Sequence, residues 1–124
     1  MNLRFARHAK ELEPLMHFYC DLLGLKVISE FKDHNDYTGI IVGCNQCNWE
    51  MEFTKSSELP KHVVDEDDLI ILKYEDEIKY NSTLERLTKE KYLEFAPKNP
   101  FWEERGKLFR DPEGYGVVIL YDKA

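Results

Sequence analysis

The sequence predicts an α+β fold of paired βαβββ modules, and three observations carry that reading. A strand-length segment, an apolar-striped helix stopped by glycine, and three more strand-length segments follow one another from the N-terminus. The same order of elements returns later in the chain. Between the two runs lies a polar stretch near residue 60, which divides the 124 residues almost equally. Two such units place their helices outside a curved sheet and leave a concave inner face as the natural binding surface. The expected layout is one domain, 1–124, with a first module over about 1–56, a linker over about 57–67 and a second module over about 68–124. The halves match in the order of their elements and not visibly in residues.

Leu3 to Ala9 alternates weakly with a two-residue period and reads as the first strand. Leu12 to Leu23 reads as a helix, with Pro14 in its first turn, where a missing N–H costs little. Leu12, Leu15, Met16, Phe18, Tyr19, Leu22 and Leu23 give it a broad apolar stripe, and Gly24 stands where a left-handed terminating residue is wanted. Leu25 to Phe31 is the next strand, and His34-Asn35-Asp36 is a turn, because Asn and Asp tolerate turn backbone. Tyr37 to Gly43 returns as a third strand. After the turn Cys44 to Asn48, Trp49 to Lys55 alternates cleanly, with Trp49, Met51 and Phe53 on one face and Glu50, Glu52 and Thr54 on the other. Past the linker, Leu69 to Tyr74 is a strand and Glu77 to Glu90 a helix. Tyr92 to Ala96, Lys107 to Arg110 and Tyr115 to Tyr121 are strands, the last two joined by the strong turn Asp111-Pro112-Glu113-Gly114.

Composition narrows the functional classes. The chain is 43% hydrophobic and 33% charged, as expected of a globular protein. A formal charge of −7 without a basic run argues against nucleic-acid binding, whose affinity comes from clustered Lys and Arg. No segment approaches the roughly 20 apolar residues of a membrane span, and the first residues lack the apolar stretch of a signal sequence. Three cysteines without framework spacing make a reduced, cytoplasmic setting the expectation.

Three segments carry a family resemblance: Phe18-Tyr19 followed by Leu23-Gly24-Leu25; Met51-Glu52-Phe53-Thr54; and Phe109-Arg110-Asp111-Pro112-Glu113-Gly114 ahead of an apolar strand. In this order and spacing, over nearly the whole chain, the sequence resembles the vicinal oxygen chelate superfamily. That superfamily includes glyoxalase I, extradiol dioxygenases, and bleomycin- and fosfomycin-resistance proteins. The resemblance implies the glyoxalase/bleomycin resistance fold, a curved-sheet cup with helices outside, and a homodimer. Metal enzymes of the superfamily take ligands from the first, fourth, fifth and eighth strands. Carried over by motif, these positions are Arg4, Glu52, Leu69 and Val118. Arg4 and Leu69 are 65 residues apart and Glu52 and Val118 are 66 apart, as one position per half requires. An Arg guanidinium does not deprotonate to bind a metal, and Leu and Val have no donor atom. Divalent ions normally take three or more protein ligands, so the usual metal site is not expected. In its place Arg4 is expected to pair with Glu52, since a carboxylate there is best satisfied by a hydrogen-bonded guanidinium.

Other residues each have a bland reading beside the functional one. Cys44-x-x-Cys47 lacks the second pair that zinc would need and the helix N-terminus that redox motifs favour, so turn residues are expected. His8 shares the Arg4 face, where a general base is the sharp reading and a hydrogen-bonded strand-end histidine the favoured one. His34 and Trp102 stand in segments, Glu30 to Tyr37 and Asn99 to Trp102, that look like elements of a metal-poor branch of the superfamily. The functional reading puts both at the cup mouth, whereas the favoured reading for the hairpin is a hydrogen-bonded turn.

The function expected from these observations is metal-independent binding of a small molecule, like the drug-sequestering members of the superfamily. The binding cup is lined by Arg4, His8, Glu52, Leu69, Ile71, Val118 and Leu120, with no cofactor. The alternative is a glyoxalase-like lyase or a dioxygenase, with Glu52 as the best catalytic candidate, acting through a divalent metal at Glu52 or by acid–base chemistry. A shared fold does not choose between the two.

Overall fold

The structure, a computed structural model, describes residues 1–122, and the chain divides into two units, Met1–His62 and a second that begins at Val63. In the first unit β1 (Leu3–His8), β2 (Lys26–His34), β3 (Tyr37–Gly43) and β4 (Trp49–Lys55) form one sheet in the order β1-β4-β3-β2. β1 runs parallel to β4, and the other pairs are antiparallel. The parallel pairing needs a long crossover, which the helix supplies. The two-residue turn between β2 and β3 has positive φ at both Asn35 (51°) and Asp36 (73°). Such a backbone suits the right-handed twist of the flanking strands and selects Asn and Asp.

The helix differs from the expected uniform one. α1 (Leu12–Met16) runs directly into a π-helical stretch, His17–Leu22. The wider spacing shows in the Leu23 N–H, which donates to the Phe18 carbonyl at 3.0 Å, five residues back. Gly24 then turns left-handed (φ 88°), and the Leu25 N–H reaches the Tyr19 carbonyl at 3.0 Å. The stripe still faces the sheet: Leu15, Phe18, Tyr19 and Leu22 are buried together with Ile40, Val42, Met51 and Phe53. Tyr19 stacks on Phe53 with ring centroids 5.1 Å apart, and the Arg7 guanidinium lies 5.1 Å from the centroid of the Phe53 ring. Arg7 therefore belongs to the helix-facing layer although it is charged.

In the second unit β5 (Leu69–Tyr74), β6 (Lys107–Arg110) and β7 (Gly116–Tyr121) form a three-stranded sheet in the order β5-β7-β6. The strand expected over Tyr92 to Ala96 is instead a single bridge, Phe95 to Leu108, made by the Phe95 N–H to the Leu108 carbonyl at 2.8 Å. Continuing the antiparallel pattern would set Pro97 opposite Gly106, and proline has no N–H to donate. Between this bridge and β6 lies a short helix, α3 (Phe101–Arg105), where no helix was expected. Its first turn is held by the Asn99 side chain, which accepts from the Phe101 N–H at 3.1 Å. The turn into β7 is organised by buried Asp111, whose Oδ1 accepts from the N–H groups of Glu113 (2.9 Å) and Tyr115 (3.1 Å).

α2 (Glu77–Lys89) packs Leu87 into the core and sets Tyr80 against Tyr74 and Tyr121. Its N-terminus is capped by Asp76, which accepts from the Ile78 and Lys79 N–H groups at 2.9 and 3.3 Å. Asp76→Ala is expected to cost about 1 kcal/mol. The change should appear as a lower midpoint of chemical denaturation with an unchanged slope.

Candidate functional site

Strand alternation decides which side chains share a face. In register, Arg4 lies beside Glu50, Ala6 beside Glu52 and His8 beside Thr54, while Glu52 lies beside Ile41 on β3. Arg4, His8, Glu50 and Glu52 thus point away from the face that buries Phe53 and Met51 under the helix. Arg4 Nε donates to Glu50 Oε1 at 2.9 Å, with Nη2 2.7 Å from the same oxygen, and Nη1 donates to Glu52 Oε1 at 3.0 Å. The expected pairing of Arg4 with Glu52 is present, and Glu50 is a second partner that sequence reasoning did not assign. The hydrogen bond that Arg4 donates to Glu50 is the largest of the influences that raise the guanidinium above its usual range.

The exposure gradient matters for chemistry. The Arg4 side chain is 49% exposed, that of Glu50 30% and that of Glu52 19%, so the guanidinium sits over the carboxylates at the solvent side. A guanidinium has five N–H donors. The three contacts occupy one donor each and use only Oε1 of each carboxylate. The remaining N–H groups and the Oε2 atoms give a patch that can both donate to and accept from a polar ligand. One positive and two negative charges leave it net negative, which disfavours multiply anionic ligands. Arg4 neither gives nor takes a proton near neutral pH.

The other expected site residues are placed as follows. His8 Nε2 lies 3.0 Å from Ser56 Oγ, and the His62 Nε2 donates to the His8 carbonyl at 2.6 Å. His8 and Tyr37 meet edge to face with ring centroids 6.5 Å apart. His34 ends β2, exposed, with Tyr37 as its register partner. In the second unit Ile71 is the register partner of Val118. Val118 and Leu120 are buried with Leu108, and Leu69 and half-buried Trp102 pack against that cluster. Trp102 on α3 therefore covers part of the face that carries Leu69, Val118 and Leu120. Cys44 and Cys47 sit at the β3–β4 turn as expected, but their sulfurs are joined, which departs from the reduced state expected of the cysteines, because the turn brings the two close together.

The donor set at the family's metal positions does not suit a divalent ion. Arg4 brings a fixed cation onto Glu52, and Leu69 and Val118 belong to the apolar layer. Among the described residues no three His, Cys, Asp or Glu side chains are gathered to hold a metal. Separately, the first unit has a polar hollow of about 310 Å³ lined by Leu12, Glu13, Asp33, Asp36, Thr38, Lys55, Ser56 and Ser57. Within it Ser57 donates to Asp36 through its hydroxyl (2.6 Å) and its N–H (3.2 Å), which holds the Asp36 carboxyl below its ordinary range. No helix among the described residues is long and apolar enough to cross a membrane.

Comparison with known proteins agrees with this architecture. Residues 3–54 match the YycE-like N-terminal domain and residues 67–121 the YycE-like C-terminal domain. The chain is 30% identical to the uncharacterized protein YycE of Bacillus subtilis over 125 residues, covering 98% of this chain and 88% of that protein. The crystal structure of a B. subtilis YycE protein, described as a putative glyoxalase/fosfomycin resistance protein, superimposes with a TM-score of 0.87. It is 28% identical, with 99% of this chain and 90% of that one covered. The trypanothione-dependent glyoxalase I of Leishmania major has a TM-score of 0.76 at 20% identity, covering 99% and 87%. TnmS3, an antibiotic-binding protein of Streptomyces sp. CB03234, has a TM-score of 0.68 at 15% identity, covering 98% and 94%. The last two likenesses concern the fold alone. With both halves matched and the fold shared, the chain belongs to the YycE-like family, within the vicinal oxygen chelate superfamily.

Proposed function

We propose that this chain is a small-molecule binding protein that works without a resident metal, with Arg4 standing where a metal enzyme of the superfamily would hold its ion. The observation that carries the reading is the hydrogen bond from Arg4 to Glu52 at 3.0 Å. It joins a fixed cation to the one family metal position that retains a ligating side chain. The Arg4–Glu50–Glu52 patch of the first unit supplies orientation through hydrogen bonds, with N–H donors and carboxylate acceptors on one exposed face. Binding without chemistry is compatible with the fold, since TnmS3 is described as an antibiotic-binding protein. The same reading makes the protein a cytoplasmic homodimer whose ligand is neutral or cationic.

Elemental analysis of untagged protein, with melting curves in the presence and absence of divalent ions, tests this directly. The expected result is substoichiometric metal and no stabilisation by Mg²⁺, Mn²⁺, Ni²⁺ or Zn²⁺. Near-stoichiometric metal with a clear rise in Tm would overturn the proposal, because a ligand that binds only the native state raises its stability.

A further inference from the structure

The turn between β3 and β4 has a feature that the binding function leaves unused. Cys44 and Cys47 bracket Asn45 and Gln46 and are joined through their sulfurs, with Cα atoms 5.2 Å apart. That separation lies within the range a disulfide accepts without moving the backbone. Both cysteines are half-buried, and the two residues between them are exposed. Cys20, by contrast, lies on the helical segment, where burial pushes its thiol up.

The turn is held without the bridge. The Cys47 N–H donates to the Cys44 carbonyl at 3.3 Å, and the Leu3 N–H of β1 donates to the Asn48 carbonyl at 3.0 Å. The ladder between β3 and β4 runs from Thr38 opposite Lys55 to Val42 opposite Met51. Backbone bonds therefore help to hold the two Cα atoms near each other independently of the bridge. The fold needs no cross-link here, and the cross-link needs no change of fold. A bridge that closes a short, already closed loop also adds little chain-entropy stabilisation, since that contribution grows with loop length.

We propose that Cys44 and Cys47 form a reversible thiol–disulfide pair whose partner is a low-molecular-weight disulfide. One cysteine thiolate attacks a sulfur of that disulfide, breaks its S–S bond and expels one thiolate, which leaves a mixed disulfide on the protein. The second cysteine thiolate then attacks the protein sulfur of the mixed disulfide, forms the Cys44–Cys47 bond and expels the second thiolate. Overall, the protein dithiol and one small disulfide give the protein disulfide and two small thiols. Excess small thiol runs the sequence backwards. The bridge lies three residues before Glu50, so oxidation stiffens the strand end that carries one partner of Arg4.

Oxidised and reduced glutathione serve as probes, with acid quenching, alkylation of the folded protein and peptide mass spectrometry. Incubating fully reduced protein with excess oxidised glutathione is expected to remove alkylation at both Cys44 and Cys47. The peptide spanning them should lose two hydrogens. Excess reduced glutathione should then restore both alkylation sites while the protein stays folded by circular dichroism. The single variants Cys44→Ser and Cys47→Ser should each stop at a glutathione adduct on the remaining cysteine, which confirms that both thiols are accessible. Full alkylation after oxidation, arrest of the wild type at the mixed disulfide, or a bridge that yields to thiol only after unfolding would each overturn the proposal.

Discussion

Replacing Phe53 with alanine is expected to remove about 3–5 kcal/mol of stability, the cost of emptying an aromatic site in a packed core. Phe53 is fully buried, stacks on Tyr19 at 5.1 Å and carries the Arg7 guanidinium on its ring. The substitution therefore removes three things at once: buried apolar area, an aromatic pair, and the ring face that makes a buried guanidinium tolerable. Phe53→Leu keeps much of the volume and should lose roughly 1–2 kcal/mol. Urea denaturation of both variants measures the effect. A loss below about 1 kcal/mol for Phe53→Ala would show that the layer between the helix and the sheet is not packed around this ring. Because the opposite face of β4 carries Glu50 and Glu52, the alanine variant is also expected to loosen the Arg4 patch, seen as faster amide exchange along β4.

Arg4→His is expected to give the patch an affinity for divalent ions. The substitution removes the permanent cation from Glu50 and Glu52 and adds an imidazole, giving three potential ligands on one face. Without metal, the variant should melt below the wild type, since two neighbouring carboxylates have lost their shared counter-charge. With Zn²⁺ at about 100 times its dissociation constant, Tm should rise by roughly 10 °C. The wild type should not respond. Adding Glu52→Gln to the variant should abolish the response, which ties it to this patch rather than to surface histidines. An equal response in the wild type would show that Arg4 does not keep metal out.

Much of this arrangement was legible in the residues. The clean alternation of Trp49 to Lys55 put Glu50 and Glu52 on one face, and the Gly24 stop and the Asp111–Gly114 turn fell where the structure has them. These are local features, set by side-chain period, by the freedom of glycine at positive φ and by Asp bonding to nearby backbone N–H groups. The expected Arg4–Glu52 pair was also found. Its second partner was missed for a definite reason. That Arg4 lies beside Glu50 depends on the register of a parallel pairing between strands more than 40 residues apart, which no local pattern encodes.

The expectations that failed were of the same kind. Tyr92 to Ala96 has the composition of a strand, yet it forms one bridge, because its continuation meets Pro97. The apolar stripe of Leu12 to Leu23 identified a helix but not its π-helical second half, which still buries Phe18, Tyr19 and Leu22. Where Trp102 packs, on Leu108, Val118 and Leu120, was likewise beyond the sequence, since it follows from where α3 folds back.

By itself, then, the sequence determined the order of the modules, the buried stripe and the turns. Each of these is a property of residue type at short spacing. Only the tertiary structure decided that Arg4 is shared between two carboxylates, that Trp102 covers the apolar face of the second unit and that Cys44 meets Cys47. Those outcomes depend on strand register and on where side chains end in space, and both are settled by packing between segments distant in the chain or by the path of the backbone through a turn.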